Sequence, residues 1–365
     1  MSFQSNTSAQ PIMPAPIVGN FFAAVYGAPS FDYVYCLIAQ PAEATPSIVT
    51  LRRTDSSDTT SQISSFSSGY GHRDSKIAAN RRDFSETSQQ SSIFYQGYNG
   101  NPFEWRIDKN GGRAHIGVNT VPETTSNSAI APVMGSSLAS VTTGQDYQTA
   151  FLFYQAPDNR IYYVYQKAFG QWSIPSLVTY DPAMARTTLS AFSWTETDPY
   201  TGTDTVDCVC IMYNQAPGRY VVHMRRELRN GLNVLIPKFE PVSGFNGPVM
   251  RGPFATVHMG AQNSADNQYR LFSQPQEDPS RLFQGQVSQG DNFLDMSLVP
   301  NTTGVRTPAR GTSIAIVYDP SNSDNTKRSI RVFYSTPEGR LLYSTMYDDS
   351  DIYNSLQHGE LQRSS

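Results

Sequence analysis

One feature limits the folds open to this chain more than any other: a short aromatic-then-turn segment recurs at a nearly fixed interval. Its anchors are Tyr95 in IFYQGYNG, Tyr154 in LFYQAPDN, Tyr213 in IMYNQAPG, Phe272 in RLFSQPQE and Tyr334 in VFYSTPEG, spaced 59, 59, 59 and 62 residues apart. One more step back reaches Cys36 in YVYCLIAQP, so six copies nearly exhaust the 365 residues. A repeat of this length means each unit buries its apolar surface against its neighbours in an array or ring.

Each copy has the same internal order. A strand of small and apolar residues comes first: Phe21 to Tyr26, Lys76 to Asn80, Ser137 to Thr142, Leu189 to Trp194, Phe254 to His258 and Ile314 to Tyr318. The anchor strand follows, then a turn rich in Gly, Pro, Asn and Asp, then a third strand such as RIYYVYQ (Arg160 to Gln166) or RLLYSTMY (Arg340 to Tyr347). A fourth, weaker strand is expected at GQWSIP (Gly170 to Pro175) and LNVLIP (Leu232 to Pro237). Four antiparallel strands per unit, six times over, describe an all-β, six-bladed β-propeller. Small residues in the first strands fit the crowding around a central axis. The chain is expected to be one propeller domain over 1–365, with blades near 19–70, 71–131, 132–182, 183–246, 247–306 and 307–358 after an N-terminal segment 1–18. Either that segment or the tail after Tyr347 is expected to close the ring.

Composition agrees and narrows the functions. Charged residues are 16% and aromatics 12% of the chain, a balance suited to pleated, half-buried surface. The net charge of −4 offers no basic stripe for phosphates, which argues against a nucleic-acid partner. No apolar run approaches the roughly 20 residues of a spanning helix, so no membrane span is expected. Three cysteines imply no disulfide framework. Cys208 and Cys210, two apart on one strand, read as small packing residues. The N-terminus does not read as a signal peptide, which leaves a cytoplasmic or a processed secreted form. There is no Gly-rich phosphate loop, no His-Glu-x-x-His, no CxxC and no GxSxG, so no cofactor and no metal is expected.

The FYQ pattern, a turn, Arg-Ile or Arg-Leu, and a Trp about ten residues later resembles the fungal fucose-binding lectins of the Aleuria type. Phe153, Tyr154, Gln155, Arg160, Ile161 and Trp172 carry the likeness best. The resemblance implies a sugar pocket between blades, built from an Arg on the second strand, a Glu or Gln on the third and an aromatic on the fourth. It also implies pairing into a homodimer. Here the set is degenerate: Ser92 precedes Glu104 and Trp105, Phe151 accompanies Trp172, and Arg331 faces Leu342 and Tyr343. Arg270, Gln284 and Phe293 keep a full set, one residue out of step with Phe272. Length, intact blades and degenerate sets also resemble the lectin-like hetero-Diels-Alderases of fungal tropolonic sesquiterpene biosynthesis. That second resemblance implies a cofactor-free pericyclase joining a humulene-type olefin to a tropolone ortho-quinone methide. Small apolar molecules are then the partners, and a fucose lectin with degenerate sites is the alternative.

Two rings of residues are candidates for such a site. Arg73, Arg186, Arg251 and Arg310 stand just before the first strands, where they make a local positive field for a tropolonate oxygen or tie each strand to the next blade through carbonyls. Tyr26, Arg81, Thr142, Trp194, His258 and Tyr318 end the same strands and would form an aromatic and polar mouth. His258, Tyr318 and Arg251 are the catalytic candidates, since His and Tyr donate to a carbonyl and His titrates near neutrality. Tyr26, Arg73, Arg81, Trp194, Arg186 and Arg310 would bind substrate, while Arg270, Gln284, Phe293 and Arg331 are the alternative sugar contacts.

Overall fold

A computed structural model describes residues 22–28, 31–38, 47–54, 57–67, 72, 75–82, 91–98, 100–107, 113–118, 132–143, 149–167, 171–197, 202, 205–216, 219–228, 239–241, 252–258, 268–274, 278–288, 297–298, 307–319, 329–347, 357–360 and 362–363. These residues form six antiparallel sheets in chain order. Blade one holds β1 (Phe22–Ala28), β2 (Phe31–Ile38), β3 (Ser47–Thr54) and β4 (Ser57–Ser67). Blade two holds β5 (Ala78–Arg81), β6 (Ser91–Gln96), β7 (Pro102–Ile107) and β8 (Arg113–Gly117). Blade three holds β9 (Leu138–Thr143), β10 (Thr149–Gln155), β11 (Ile161–Lys167) and β12 (Ser176–Leu177). Blade four holds β13 (Ser190–Thr197), β14 (Thr205–Gln215), β15 (Arg219–Leu228) and β16 (Glu240–Pro241). Blade five holds β17 (Phe254–His258), β18 (Gln268–Ser273), β19 (Phe283–Ser288) and β20 (Ser297–Leu298). Blade six holds β21 (Ala315–Asp319), β22 (Ser329–Ser335), β23 (Leu341–Tyr347) and β24 (Gln357–Glu360).

The first strands touch in a closed cycle, β1 to β5, β9, β13, β17, β21 and back to β1. The chain is therefore an all-β, six-bladed propeller. The tail does two jobs: β24 finishes blade six, and β25 (Gln362–Arg363) then pairs in parallel with β4 of blade one. Two fourth strands fall later than expected. In blade three, residues 171–175 make no ladder and β12 starts at Ser176, while in blade four β16 is Glu240–Pro241 and Leu232 to Pro237 lie outside the described residues.

Second strands are sandwiched between two neighbouring blades. In β6 and β22 every residue is buried, which explains why the anchors read as continuous apolar runs without alternation. The core is accordingly a series of inter-blade clusters. Phe94 and Val118 meet Leu152 and Val164 between blades two and three; Phe151 and Phe153 meet Val209, Ile211 and Tyr213 between three and four; Cys210 and Met212 meet Phe254 and Leu271 between four and five. Each fully buried Phe or Met contributes roughly 1.5–3 kcal/mol of apolar burial.

Polar bonds set the spacing between these clusters. A four-residue turn precedes the first strands of blades two, three, four and six, closed in blade three by Ser136 N–H on Val133 O and in blade six by Thr312 N–H on Ala309 O. Before blades three and six the glutamine that ends the second strand of the preceding blade grips this turn from both sides. Gln96 Nε2 donates to Val133 O at 2.8 Å and its Oε1 accepts Gly135 N–H at 3.0 Å. Gln274 repeats this on Ala309 O and Gly311 N–H, both at 2.8 Å. The turn's last residue in turn accepts the backbone N–H ending its own second strand, as Ser75 Oγ does from Gln96, Thr187 Oγ1 from Asn214 and Thr312 Oγ1 from Ser335.

Hydroxyls also bridge the first strands. Ser137 Oγ accepts Leu189 N–H, Ser193 Oγ donates to Thr142 O, and Ser190 Oγ accepts Thr256 N–H. The Ser and Thr content of these strands thus satisfies backbone groups left open on an innermost edge, besides fitting the crowded axis. Gln274→Ala removes both bonds of one grip together with the Nε2 bond to Pro279 O. Urea unfolding is expected to show a loss of about 1–3 kcal/mol, whereas an unchanged midpoint would mean that the grip is incidental.

Candidate functional site

The register fixes which positions are equivalent from blade to blade. Counting from the equivalent residue at or beside the end of each second strand in blades two to six (Gln96, Gln155, Asn214, Gln274, Ser335), the place of the lectin-type arginine lies four residues earlier. The acceptor is the third-strand partner of the residue two earlier. Those places hold Ser92 and Glu104 in blade two, Phe151 and Tyr163 in three, Cys210 and Val222 in four, Arg270 and Gln284 in five, and Arg331 and Tyr343 in six. The one-residue offset in blade five disappears, because Gln274 and not Phe272 marks the frame. Arg270 pairs with Gln286 and Phe272 with Gln284, so Arg270 and Gln284 share a sheet face. The Gln284 side chain is 2% exposed and its Oε1 has no hydrogen-bond partner. In blade six the acceptor place belongs to Tyr343, and Arg331 is buried.

The aromatic comes from the following blade, a point invisible in one repeat taken alone. Trp172 of blade three donates Nε1–H to Glu104 Oε2 of blade two at 3.2 Å and stands edge-on to Phe94 at 5.7 Å. Phe239 of blade four meets Phe153 of blade three in the same way, edge-on at 5.6 Å. Trp105, the partner expected for Glu104, donates instead to Tyr95 Oη on the other face of its sheet. Phe239 was missed because it immediately precedes a two-residue strand with no pattern of its own.

What fills each interface differs. Between blades two and three lies a buried ionic cluster. Glu104 Oε1 accepts from Ser92 Oγ at 2.6 Å and Arg82 Nη1 at 2.9 Å, and Oε2 accepts from Arg106 Nη2 at 2.9 Å. Gln166 Oε1 of blade three accepts from both arginines. Burial alone would raise the Glu104 carboxyl; the Arg106 hydrogen bond and the Arg82 charge hold it below its ordinary value. Burial lowers Arg82 to about 10, with Glu104 opposing, so it stays cationic at neutral pH. Between blades three and four, at the register of Gln166, stands Arg225. Its guanidinium lies 5.3–5.7 Å from the rings of Phe151, Tyr165 and Tyr163 and pairs with Glu227. Between blades four and five Cys210 and Met212 pack against Phe254 and Leu271.

The two candidate rings stand at opposite ends of the first strands. Arg186 and Arg310 are exposed turn residues at the leading end; neither ties its strand to the next blade, since that bond belongs to the glutamines. At the trailing end Arg81, Thr142, His258 and Tyr318 are each paired five residues before that equivalent residue, so they share one register. In blade four Ser193 holds that register and Trp194 is one residue beyond, pointing to the other face. Trp194 is 8% exposed and lies between blades, stacked on His258 at 4.8 Å and 15°, with Nε1–H donated to Glu196. His258 is buried and Tyr318 and Arg81 are half-buried. Arg73, Arg251, Phe293 and the Tyr26 side chain lie outside the described residues.

No protein-family model matches the chain, and no curated protein matches it in sequence. Solved structures do. AofleA from Arthrobotrys oligospora is similar with a TM-score of 0.66 at 12% identity, over 96% of this chain and 89% of that one. The fucose-specific lectin from Aleuria aurantia gives 0.62 at 14% identity, over 94% and 95%. The same lectin in complex with Fucalpha1-6GlcNAc gives 0.61 at 15%, over 94% and 96%.

Glu104→Ala would leave the buried Arg82 guanidinium and the half-buried one of Arg106 without their carboxylate. Unfolding in urea is expected to register a loss of about 3–5 kcal/mol; a near-neutral effect would show the cluster to be solvated. At these identities the likeness is one of fold, and what this chain shares with those proteins is the lectin-type six-bladed propeller.

Proposed function

We propose that the chain is a cofactor-free pericyclase on a lectin-like scaffold, catalysing a hetero-Diels-Alder addition between a tropolone ortho-quinone methide and a humulene-type olefin. The observation that carries it is the dissolution of the repeated sugar set: of blades two to six, only blade five retains both the Arg and the acceptor. A multivalent lectin needs the opposite. The reaction itself is assigned from the resemblance to the lectin-like Diels-Alderases.

The trailing mouth is the preferred location, because residues from several blades share one register there. Its role is to hold diene and olefin together and exclude water, a source of rate that needs no covalent chemistry. In the first step a hydroxymethyl tropolone loses water: the CH2–OH carbon–oxygen bond breaks with a proton delivered to the leaving hydroxyl, and the tropolone O–H proton departs, giving the quinone methide. The cycloaddition then forms one C–C and one C–O bond and loses nothing. His258 and Tyr318 are the donors assigned to the leaving hydroxyl and the quinone methide oxygen. Arg186 and Arg310 stand at the leading end of the first strands, away from this mouth.

Purified protein incubated with a hydroxymethyl tropolone and humulenol is expected to change product ratio and stereochemistry relative to buffer. His258→Ala and Tyr318→Phe are expected to lower the rate by about 10²-fold. A product distribution identical to buffer sinks the assignment.

A second reading has its own observation, the unpartnered Gln284 Oε1 on the same face as Arg270. It gives a lectin with one surviving site, an Arg donating to and a Gln accepting from sugar hydroxyls. Calorimetric titration with fucose would then show binding that Arg270→Ala removes. Silence there and across a glycan array eliminates this reading.

A further inference from the structure

We infer that Trp194 and Glu196 are positioning residues for His258: the indole holds the imidazole in a fixed plane, and the carboxylate bound to the indole favours the protonated form of that ring at the trailing mouth. Blade four departs from its neighbours at this rim. Arg81, Thr142, His258 and Tyr318 end their first strands in one register, but blade four puts Ser193 at that place and its aromatic one residue further on. The shift turns Trp194 to the other face of β13, where it packs on blade five and meets His258.

The contact is braced from several sides. The indole and imidazole planes lie within 15° of parallel at a centroid separation of 4.8 Å, and both residues are buried. Phe192, two residues earlier on the same face of β13, lies parallel to the indole at 6.2 Å and 17°. Trp194 Nε1–H donates to Glu196 Oε2 at 3.0 Å, and Arg226 Nη2 reaches Glu196 Oε1 at 3.3 Å. The indole therefore cannot turn over without giving up a charge-assisted hydrogen bond. An imidazole laid against it is fixed in the plane that holds both of its ring nitrogens.

The same arrangement acts on charge. Burial alone drives an imidazole toward its neutral form; His223, buried against Tyr213, is pushed down to about 4. His258 has two features that oppose this. The face of an indole attracts a cation placed over it, and Glu196 adds a negative charge at the edge of the same ring. Arg226 offsets that charge only in part, because this ion pair is close to solvent, with Arg226 40% and Glu196 17% exposed. Of the other titratable groups on the strands around the pair, Asp207, Arg225 and Glu227 lie on the opposite face of blade four. The thiol of Cys208, raised by burial, keeps its proton, and Tyr269 and Tyr318 are phenols. A ring that carries a proton near neutral pH is what delivery to the leaving hydroxyl requires. That catalytic consequence rests on the reaction assigned above, whereas the effect of Trp194 and Glu196 on the imidazole does not.

The chain has five histidines, so carbon-13 labelling of the imidazoles lets NMR follow the titration of His258, assigned with His258→Gln. Trp194→Leu is expected to lower its midpoint by about 0.5–1 pH unit, and Trp194→Phe, which restores an aromatic face, by less. Glu196→Gln keeps an acceptor for the indole N–H and should lower the midpoint, whereas Arg226→Gln should raise it. Loosened packing does not produce opposite signs from the two partners of one ion pair. Both are partly exposed, so their variants carry the test where Trp194→Leu does not fold. Product formation that uses the protonated ring should decline on the alkaline side at a pH that moves with the midpoint in each variant. Midpoints that move as stated with no turnover in any protein remove the assigned reaction and support the tuning of His258. A midpoint that Trp194→Leu or Glu196→Gln leaves in place, or that Glu196→Gln and Arg226→Gln move in the same direction, overturns the inference.

Discussion

The two-sided grip of a glutamine amide on the next blade's entry turn is the contact on which the geometry of the ring depends. Apolar clusters between blades favour close approach, but they are non-directional and would tolerate sliding. An amide that must donate to one backbone carbonyl and accept from one N–H has a single solution. Gln96 and Gln274 find it with near-identical distances at interfaces three blades apart. At these two interfaces the angle between blades is therefore fixed by backbone atoms. At the last interface the tail contributes as well, β25 adding to β4 after β24 has finished blade six.

This grip lies a turn away from the positions that correspond to the lectin-type set. The lectin-type set stands four residues back on the second strand and across on the third, with its aromatic supplied by the following blade. Each such set can change without touching the grip. The interfaces have diverged accordingly: an ionic cluster around Glu104, an arginine among Phe151, Tyr163 and Tyr165, and an apolar contact at Cys210 and Met212. A fold whose sites are modular in this way loses binding one pocket at a time while its architecture persists.

The period of 59 residues made the architecture legible, because the second strands β6, β10, β14 and β22 are buried on both faces and so read as unbroken apolar runs that can be counted. First-strand positions followed, and β17 begins and ends where the sequence pattern places it. The fourth strands were not legible: β12, β16 and β20 are two residues long and carry no periodicity. The sites were hidden for a different reason. Trp172 serves Glu104 of the preceding blade, 68 residues away, so a search within one repeat assembles the wrong set. The exchange of Ser193 for Trp194 at the trailing rim has the same origin. A one-residue offset is invisible in an alignment of apolar letters, yet it turns a side chain to the other face of a strand.

The role of the glutamine in FYQ was legible only in retrospect. Its repetition marks the family resemblance, and an exposed polar residue at a strand end looks like a ligand contact. The structure buries it instead and points it at backbone. The arginines next to it look like the ties between blades, and Arg186 and Arg310 are the residues left free. The polar residues with the strictest periodicity serve the ring. Arg186, standing where two other blades have glycine, is the clearest departure from that pattern, because the grip beneath it is only half made.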